Sequence, residues 1–381
     1  MNYDVIVLGT GGVGSAAAFH AARRGAKVLG IDRYPGGHDR GSSHGETRVI
    51  RQAYFEHPDY VPLLLRAYEL WRDLEQTVGA SLLHQVGLLQ VGPPAGCVVG
   101  GVLEAARQHN LAVERLEAKQ VEQRFSGFRV PEDSIGVFEL AAGYLRVERC
   151  VLAHLAAAKS VGAELQSGVT AHSWRPDGDG VRIATDQGEF SAAKLIVTAG
   201  PWAPQLLADL GVRFQVRRKH LYWFPCQDPR YHQDHGCPTY LYELPEGVFY
   251  GFPRIDELGV KAAEHSGGVV IADPANDLRE LDSTDLGRVE AFLAGYLPGV
   301  GRPMGHRTVC FYTMSPDEHF LVDLHPAHPQ ICFAAGLSGH GFKFTSVLGE
   351  ALADLALDGK TLRPIAFLGV SRFGNRSGVA I

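Results

Sequence analysis

Apolar residues open the chain in a nearly unbroken run, YDVIVLG, from Tyr3 to Gly9. That is the pattern of a parallel strand buried on both faces. Small and apolar residues then recur at helical spacing through GGVGSAAAFHAARRG, with Gly25 placed to stop the helix. KVLGID follows as a second strand. Strand, helix and strand in this order predict a β-α-β unit, and right-handed crossover puts both strands in one parallel sheet.

Further along, VPLLLRAYELWRDLEQTVG reads as an amphipathic helix and LLHQVGLLQVGP as a strand or hairpin. CVLAHLAAAKSVGAEL is predicted to be helical, and VRIATDQGEFSAAKLIVTAG a β-meander ending in a buried strand. From Val212 to Leu297 the chain is rich in Tyr, Phe, Pro and His with short β-like runs, which predicts an antiparallel sheet with one solvated or ligand-facing side. The end returns to α/β: QICFAAG, a Gly loop, and the helix FTSVLGEALADLALDG. This order predicts an α/β fold (α+β overall), a Rossmann-like nucleotide-binding domain interrupted by a second, mostly antiparallel-sheet domain. The nucleotide domain is expected over 1–83, 150–211 and 305–381, and the substrate domain over 84–149 and 212–304.

Composition changes this picture little. A length of 381 residues suits two domains, and 45% hydrophobic with 20% charged residues describes an ordinary globular chain. A net charge of -6 offers no basic footprint for nucleic acid or an anionic membrane. No apolar run is long enough to cross a bilayer. The start MNYDVIVLGTGG has no basic leader region and enters a strand directly, so a cytoplasmic location is expected. The cysteines Cys97, Cys150, Cys226, Cys237, Cys310 and Cys332 are scattered without a CxxC, which suits a reducing compartment. His232, His235 and Cys237 in YHQDHGC are metal-type donors, but no second ligand pair follows at a zinc spacing, so a polar surface loop and no metal are expected.

Candidate chemistry sharpens the first domain. GTGGVG supplies Gly9, Gly11 and Gly14 in GxGxxG spacing between the strand and the helix. The first glycine serves the tight turn, the second the approach of a diphosphate, and the third close helix packing. Helix-start amides then face the diphosphate. Asp32 ends the next strand, placed to accept ribose hydroxyls, which disfavours a 2′-phosphate. NAD and FAD are both open from this motif. LIVTAGPW puts Ala199 and Gly200 after a late apolar strand. GLSGHGFK puts Gly339 and Gly341 between a strand and a helix and ends in Lys343, an electropositive spot suited to the edge of a flavin that becomes anionic on reduction. There is no second strand-GxGxxG-helix unit, so a small or external electron acceptor is expected. HGETRVIR crowds His44, Arg48 and Arg51, which are costly to bury without an anion.

Several longer motifs recur in order: DVIVLGTGGVGSAAA, GSSHGETRVIRQAY, YGFP with VKAAEH downstream, VCFYTMSPDEHF and SGHGFKF. Through them the chain resembles, nearly end to end, the monomeric sarcosine oxidase and N-methyltryptophan oxidase family of amine-oxidising flavoproteins, with mammalian pipecolate oxidase as a relative. The resemblance implies one FAD per chain, joined through its 8α-methyl to Cys310 as a thioether, which retains the cofactor and shifts its electronics. It implies that Arg51 and Lys343 clamp the substrate carboxylate, a fork and a point charge on one anion. It places Arg48 over the flavin, His44 near the ring and substrate, and Thr313 near the flavin beside the cysteine. Lys261 resembles the lysine that activates O2, and His265 and Tyr250 resemble side chains of the substrate pocket.

The implied activity is oxidation of a secondary amino acid such as sarcosine or N-methyltryptophan by O2, giving the amino acid, formaldehyde and hydrogen peroxide. Oxidation of L-pipecolate or another cyclic imino acid, a flavin dehydrogenase with another acceptor, and a non-catalytic FAD-binding protein are the alternatives. Ser43 and Glu46 depart from the family's His-His-Gly-Asp-Thr-Arg run. VKAAEHSGG and VSRF lean towards the methyltryptophan branch, GSSHG and TAGPW towards the pipecolate branch, so the substrate side chain is open. A small amino acid and O2 are the expected partners of a monomer.

Overall fold

The computed structural model describes residues 2–277 and 279–374. β1 (Tyr3–Leu8), α1 (Gly12–Arg23) and β2 (Val28–Asp32) form the expected unit, with β1 and β2 parallel. Around them runs an eight-stranded sheet. Its parallel part has the order Glu164–Ser167, β2, β1, Gly188–Val197 and His328–Ala335. The expected meander is Ala171–Asp177, Gly180–Thr185 and Gly188–Val197, joined by antiparallel pairing. Nearly all of α1 is buried, against the helices Val147–Ser160 and Thr345–Asp358. Its alanines and glycines allow this: a Cβ on Gly349 of the last helix would overlap Ala16.

The second layer is a nine-stranded sheet, antiparallel except where Leu88–Gly92 pairs with Thr239–Leu244. A three-stranded sheet of Thr47–Ile50, Gly143–Arg146 and Leu83–His84 completes the fold. No described helix is long and apolar enough to cross a membrane.

Four local expectations are corrected. LLHQVGLLQVGP is not a hairpin: Leu83–His84 joins the small sheet and Leu88–Gly92 the large one. The chain changes sheets at Gly87, whose φ of 80° turns the backbone and whose N–H bonds Ala142. The helix expected through VGAEL stops at Ser160, and Gly162 (φ 96°) releases Glu164–Ser167 as a strand beside β2. Within the stretch read as sheet only, Ser283–Tyr296 is a helix, because Asp282 accepts from the Thr284 and Asp285 amides and caps it. Its Phe292 stacks on Phe249 with ring centres 4.8 Å apart. Lastly, the boundary expected at residue 305 is crossed. His306–Met314 lies in the nine-stranded sheet, paired along Gln215–Phe224 with Cys310 opposite Lys219.

Candidate active site

The glycine loop is built by sterics. A Cβ on Gly9 (φ 89°) would stand 2.6 Å from the Thr198 carbonyl, and one on Gly14 would overlap the Gly9 carbonyl. Gly11 differs: a Cβ there would meet only Ser43 Oγ, at 3.8 Å, because its open side faces a cavity. Asp32 accepts from the amides of Thr10 (2.7 Å) and Tyr34 (2.9 Å), which fixes the carboxylate at the cavity rim.

This cavity measures about 480 Å3, within the usual range for ligand pockets. Gly9, Gly11, Asp32, Ala199, Gly200, Thr313, Gly339 and Gly341 line it, while Gly14 packs behind the loop. Its walls also carry buried polar atoms without partners, namely Thr313 Oγ1, Thr345 Oγ1 and Trp202 Nε1. Orphaned polar atoms around a glycine-floored cavity of this size fit a dinucleotide that supplies the missing hydrogen bonds.

A smaller cavity of about 60 Å3 adjoins it, and Arg48, Tyr312, Gly339 and Phe342 line both. Arg51, which lines only the smaller cavity, is buried. One arm of its guanidinium donates to Glu56 at 2.5 and 2.7 Å, the other to Gln90 Oε1 at 3.1 Å. Lys343 Nζ donates to the His340 carbonyl at 2.8 Å. Burial first, then Arg51, pulls the Lys343 pKa down to about 7. Trp71 of the helix Val61–Val78 anchors this lysine by donating to its carbonyl at 3.0 Å. On the flank, His265 Nδ1 stands 3.3 Å from the Tyr312 hydroxyl, and the Tyr250 ring lies edge-on to the imidazole at 6.1 Å. Burial holds His265 near 3, so it is neutral at pH 7, and pushes Tyr250 up to about 12.

Lys261 and His44 sit deeper. The three protons of a Lys261 ammonium all find acceptors: Gly45 O (2.6 Å), Thr47 O (3.0 Å) and Thr47 Oγ1 (3.1 Å). Burial and the nearby Arg48 lower its pKa, and Glu46 opposes them. Arg48 donates to Thr47 O and Ser42 O. His44 is buried, and burial holds it near 3. Cys310 is 1% exposed and packs with Leu221, Tyr250 and Tyr312. The residues after it, Phe311 to Thr313, line the large cavity, and the thiol itself does not.

Sequence reading missed Phe55, Glu56 and Leu241 in the small cavity, and Lys219, whose Nζ donates to Ser266 O at 2.5 Å. A charged residue five positions beyond Arg51 was the available signal for Glu56. His232, His235 and Cys237 do not converge: Cys237 is buried in the core and His232 meets Arg254 at 3.1 Å. Among the described residues the metal-type donors that do gather are Asp209, His325 and His328, within 4.8 Å. His325 Nδ1 accepts from the Ala327 amide, so Nε2 carries the proton and faces Asp209 at 2.9 Å. A histidine–carboxylate contact accounts for His325 and Asp209, and the His328 ring stacks on His325 with centres 4.9 Å apart.

A parallel β-α-β nucleotide unit beside a small pocket that holds Arg51 and Lys343 fits a dinucleotide-dependent oxidoreductase. The chain belongs to the FAD dependent oxidoreductase family, whose model matches residues 4–355. It is 43% identical to a monomeric sarcosine oxidase of Streptomyces avermitilis over 95% of this chain and 96% of that one. It is 40% identical to an N-methyl-L-tryptophan oxidase of Escherichia coli O157:H7, over 98% of this chain and all of the other. Among solved structures it is similar to NikD, an unusual amino acid oxidase essential for nikkomycin biosynthesis (TM-score 0.84, 27% identity, 96% and 97% of the two chains). A glycine oxidase from Geobacillus kaustophilus shares the fold at a TM-score of 0.81 and 19% identity, over 97% and 98% of the chains.

Proposed function

We propose that this chain is an FAD-dependent oxidase of secondary amino acids, N-methyl amino acids first among them. One observation carries the reading. A buried arginine that already holds a carboxylate, Arg51 with Glu56, shares a small cavity with Lys343, and that cavity adjoins the dinucleotide cavity along Arg48, Tyr312, Gly339 and Phe342. The activities named for the two curated relatives support it.

Bound FAD supplies a two-electron acceptor and passes the electrons to O2. Overall, the N-methyl amino acid, O2 and water give the primary amino acid, formaldehyde and hydrogen peroxide. Gly9, Gly11, Asp32, Ala199, Gly200, Thr313, Gly339 and Gly341 hold the cofactor. Arg51 and Lys343 hold the substrate carboxylate and so orient the amine towards the shared wall. His265 and Tyr250, both uncharged at neutral pH, line the amine's side. With positive charge concentrated around the carboxylate, this end of the pocket favours an amine that has given up its proton. Arg48 faces both cavities, and His44 stays neutral behind it. Lys261 is assigned the oxygen step, its held ammonium acting through charge on developing superoxide. Cys310 is assigned the 8α-S-cysteinyl link, one strand position before the cavity wall. The protein is proposed to work as a cytoplasmic monomer, which size-exclusion chromatography checks.

The test is direct. Purified protein should be yellow, make peroxide with N-methyl amino acids, and bleach when one is added without air. A flavin-loaded protein that neither bleaches nor makes peroxide with N-methyl and cyclic amino acids refutes the reading.

A further inference from the structure

We infer that Phe55 and Leu241 confine the substrate to amino acids with very small side chains, and that shortening either one admits bulky ones. This deepens the proposed function, since it rests on the small cavity being where the amino acid binds.

Size comes first. At roughly 10–15 Å3 per water-sized group, the cavity's volume of about 60 Å3 holds about four to six such groups. N-methylglycine has about six non-hydrogen atoms and N-methyltryptophan about sixteen, so only the former matches this room.

The walls that impose the limit are fixed. The Phe55 ring centre lies 4.1 Å from the Arg51 guanidinium carbon and the Tyr54 ring centre 4.4 Å from it, with the two rings within 16° of parallel. Phe55 therefore walls the pocket and braces the carboxylate clamp together. Its backbone is held in place. Gly101, on the helix Cys97–His109, approaches so closely that a Cβ there would stand 2.7 Å from the Phe55 carbonyl oxygen and 2.9 Å from its Cβ. Leu241 is held from both sides in the large sheet. Its register partners are Gln90, the residue that accepts from Arg51, and Tyr250. Cross-strand partners share a sheet face, so Leu241 projects between Tyr250, which lines the pocket, and Gln90, which holds Arg51. Both limiting side chains are apolar and one-sided, so each can be shortened without leaving a charge unpaired.

The experiment compares kcat/KM for N-methylglycine and N-methyl-L-tryptophan in the wild type, Phe55→Ala and Leu241→Ala, with thermal unfolding to confirm that each variant folds. The wild type is expected to favour N-methylglycine by at least about a hundredfold, since steric exclusion exceeds the discrimination of a single methylene. Each variant should move the ratio at least about tenfold towards the tryptophan substrate. Two variants are used because Phe55→Ala also loosens Arg51, whereas Leu241→Ala reports on size through a side chain that does not contact the guanidinium. Equal use of both substrates by the wild type, or an unmoved ratio in both variants, overturns the inference. Binding of acetate and indole-3-acetate, read by the flavin spectrum, separates the two claims. If acetate binds, indole-3-acetate does not, and no amine is oxidised, the size limit stands and the oxidase reading falls. If both carboxylates bind alike, the size limit falls whatever the turnover.

Discussion

Replacing Lys343 with Met tests how the carboxylate clamp works. The lysine is buried, it donates to the His340 carbonyl at 2.8 Å, and its Nζ lies 5.1 Å from the centre of the Tyr54 ring. Burial and Arg51 bring its pKa to about 7, so the empty site is half charged at neutral pH. A carboxylate placed about 4 Å away attracts the ammonium by roughly 4 kcal/mol at an effective dielectric near 20. That equals a rise of about three pH units at ~1.36 kcal/mol per unit. The sign follows by linkage. Below the empty-site pKa the ammonium is present and affinity is full. Above it, binding must also capture a proton, and affinity falls about tenfold per pH unit until the occupied site titrates in turn. Between about pH 7 and pH 9 acetate should therefore bind about fiftyfold more weakly. Arg51 keeps its half of the clamp, so binding is weakened and not abolished. Lys343→Met should bind acetate weakly at every pH, without the slope. Acetate is the right probe because it has no amine and its carboxyl is ionised across the range. Its binding can be followed by the flavin spectrum. A wild-type affinity that is flat across this range, or a Lys343→Met variant that keeps the slope, refutes the assignment of the titration to Lys343.

Three further changes probe other parts of the site. Cys310→Ser should leave a folded protein whose flavin comes free on acid precipitation, and the intact mass of the wild type should exceed the bare chain by one FAD; an unmodified wild-type mass would end the thioether assignment. Lys261→Met should leave anaerobic reduction by substrate nearly intact and slow reoxidation by O2 in stopped flow, and an unchanged oxidative rate would move the oxygen step elsewhere. Glu148→Ala removes the acceptor for the amides of Gly45 (2.6 Å) and Glu46 (3.1 Å), where both residues have positive φ. Urea unfolding should show a loss of about 1.5–3 kcal/mol, the range for hydrogen bonds to a charged group.

Local pattern made part of this legible. β1, α1 and β2 follow from an apolar run, small-residue spacing and three glycines, all within one stretch of chain, and the helix Val61–Val78 ends at Gly79 (φ 66°) where the sequence places its stop. Sheet membership was not legible, because strand periodicity gives the face of a side chain and not its partner. Leu83–His84 and Leu88–Gly92 look like one hairpin until Gly87 sends them to separate sheets. The helix Ser283–Tyr296 hides for another reason. It contains Gly287 and Gly295 and buries only Val289, Phe292 and Leu293, too sparse a stripe to outweigh the aromatic and β-branched residues around it.

The same distinction explains the two departures in the loop before Arg48. As letters, Ser43 and Glu46 only raise a question about pocket polarity. In three dimensions each joins distant parts of the chain. Ser43 Oγ accepts from the Gly12 amide at 3.2 Å, which ties this loop to the start of α1 where the diphosphate is expected. Glu46 reaches Arg146 at 2.7 Å and the Trp223 indole nitrogen at 2.9 Å, and the Trp223 ring centre lies 5.1 Å from Lys261 Nζ. A glutamate has one more methylene than an aspartate with which to span those two partners. The loop thus connects the nucleotide sheet, the small sheet and the strand opposite Cys310, so a shift in it would move the cofactor floor and the buried lysine together.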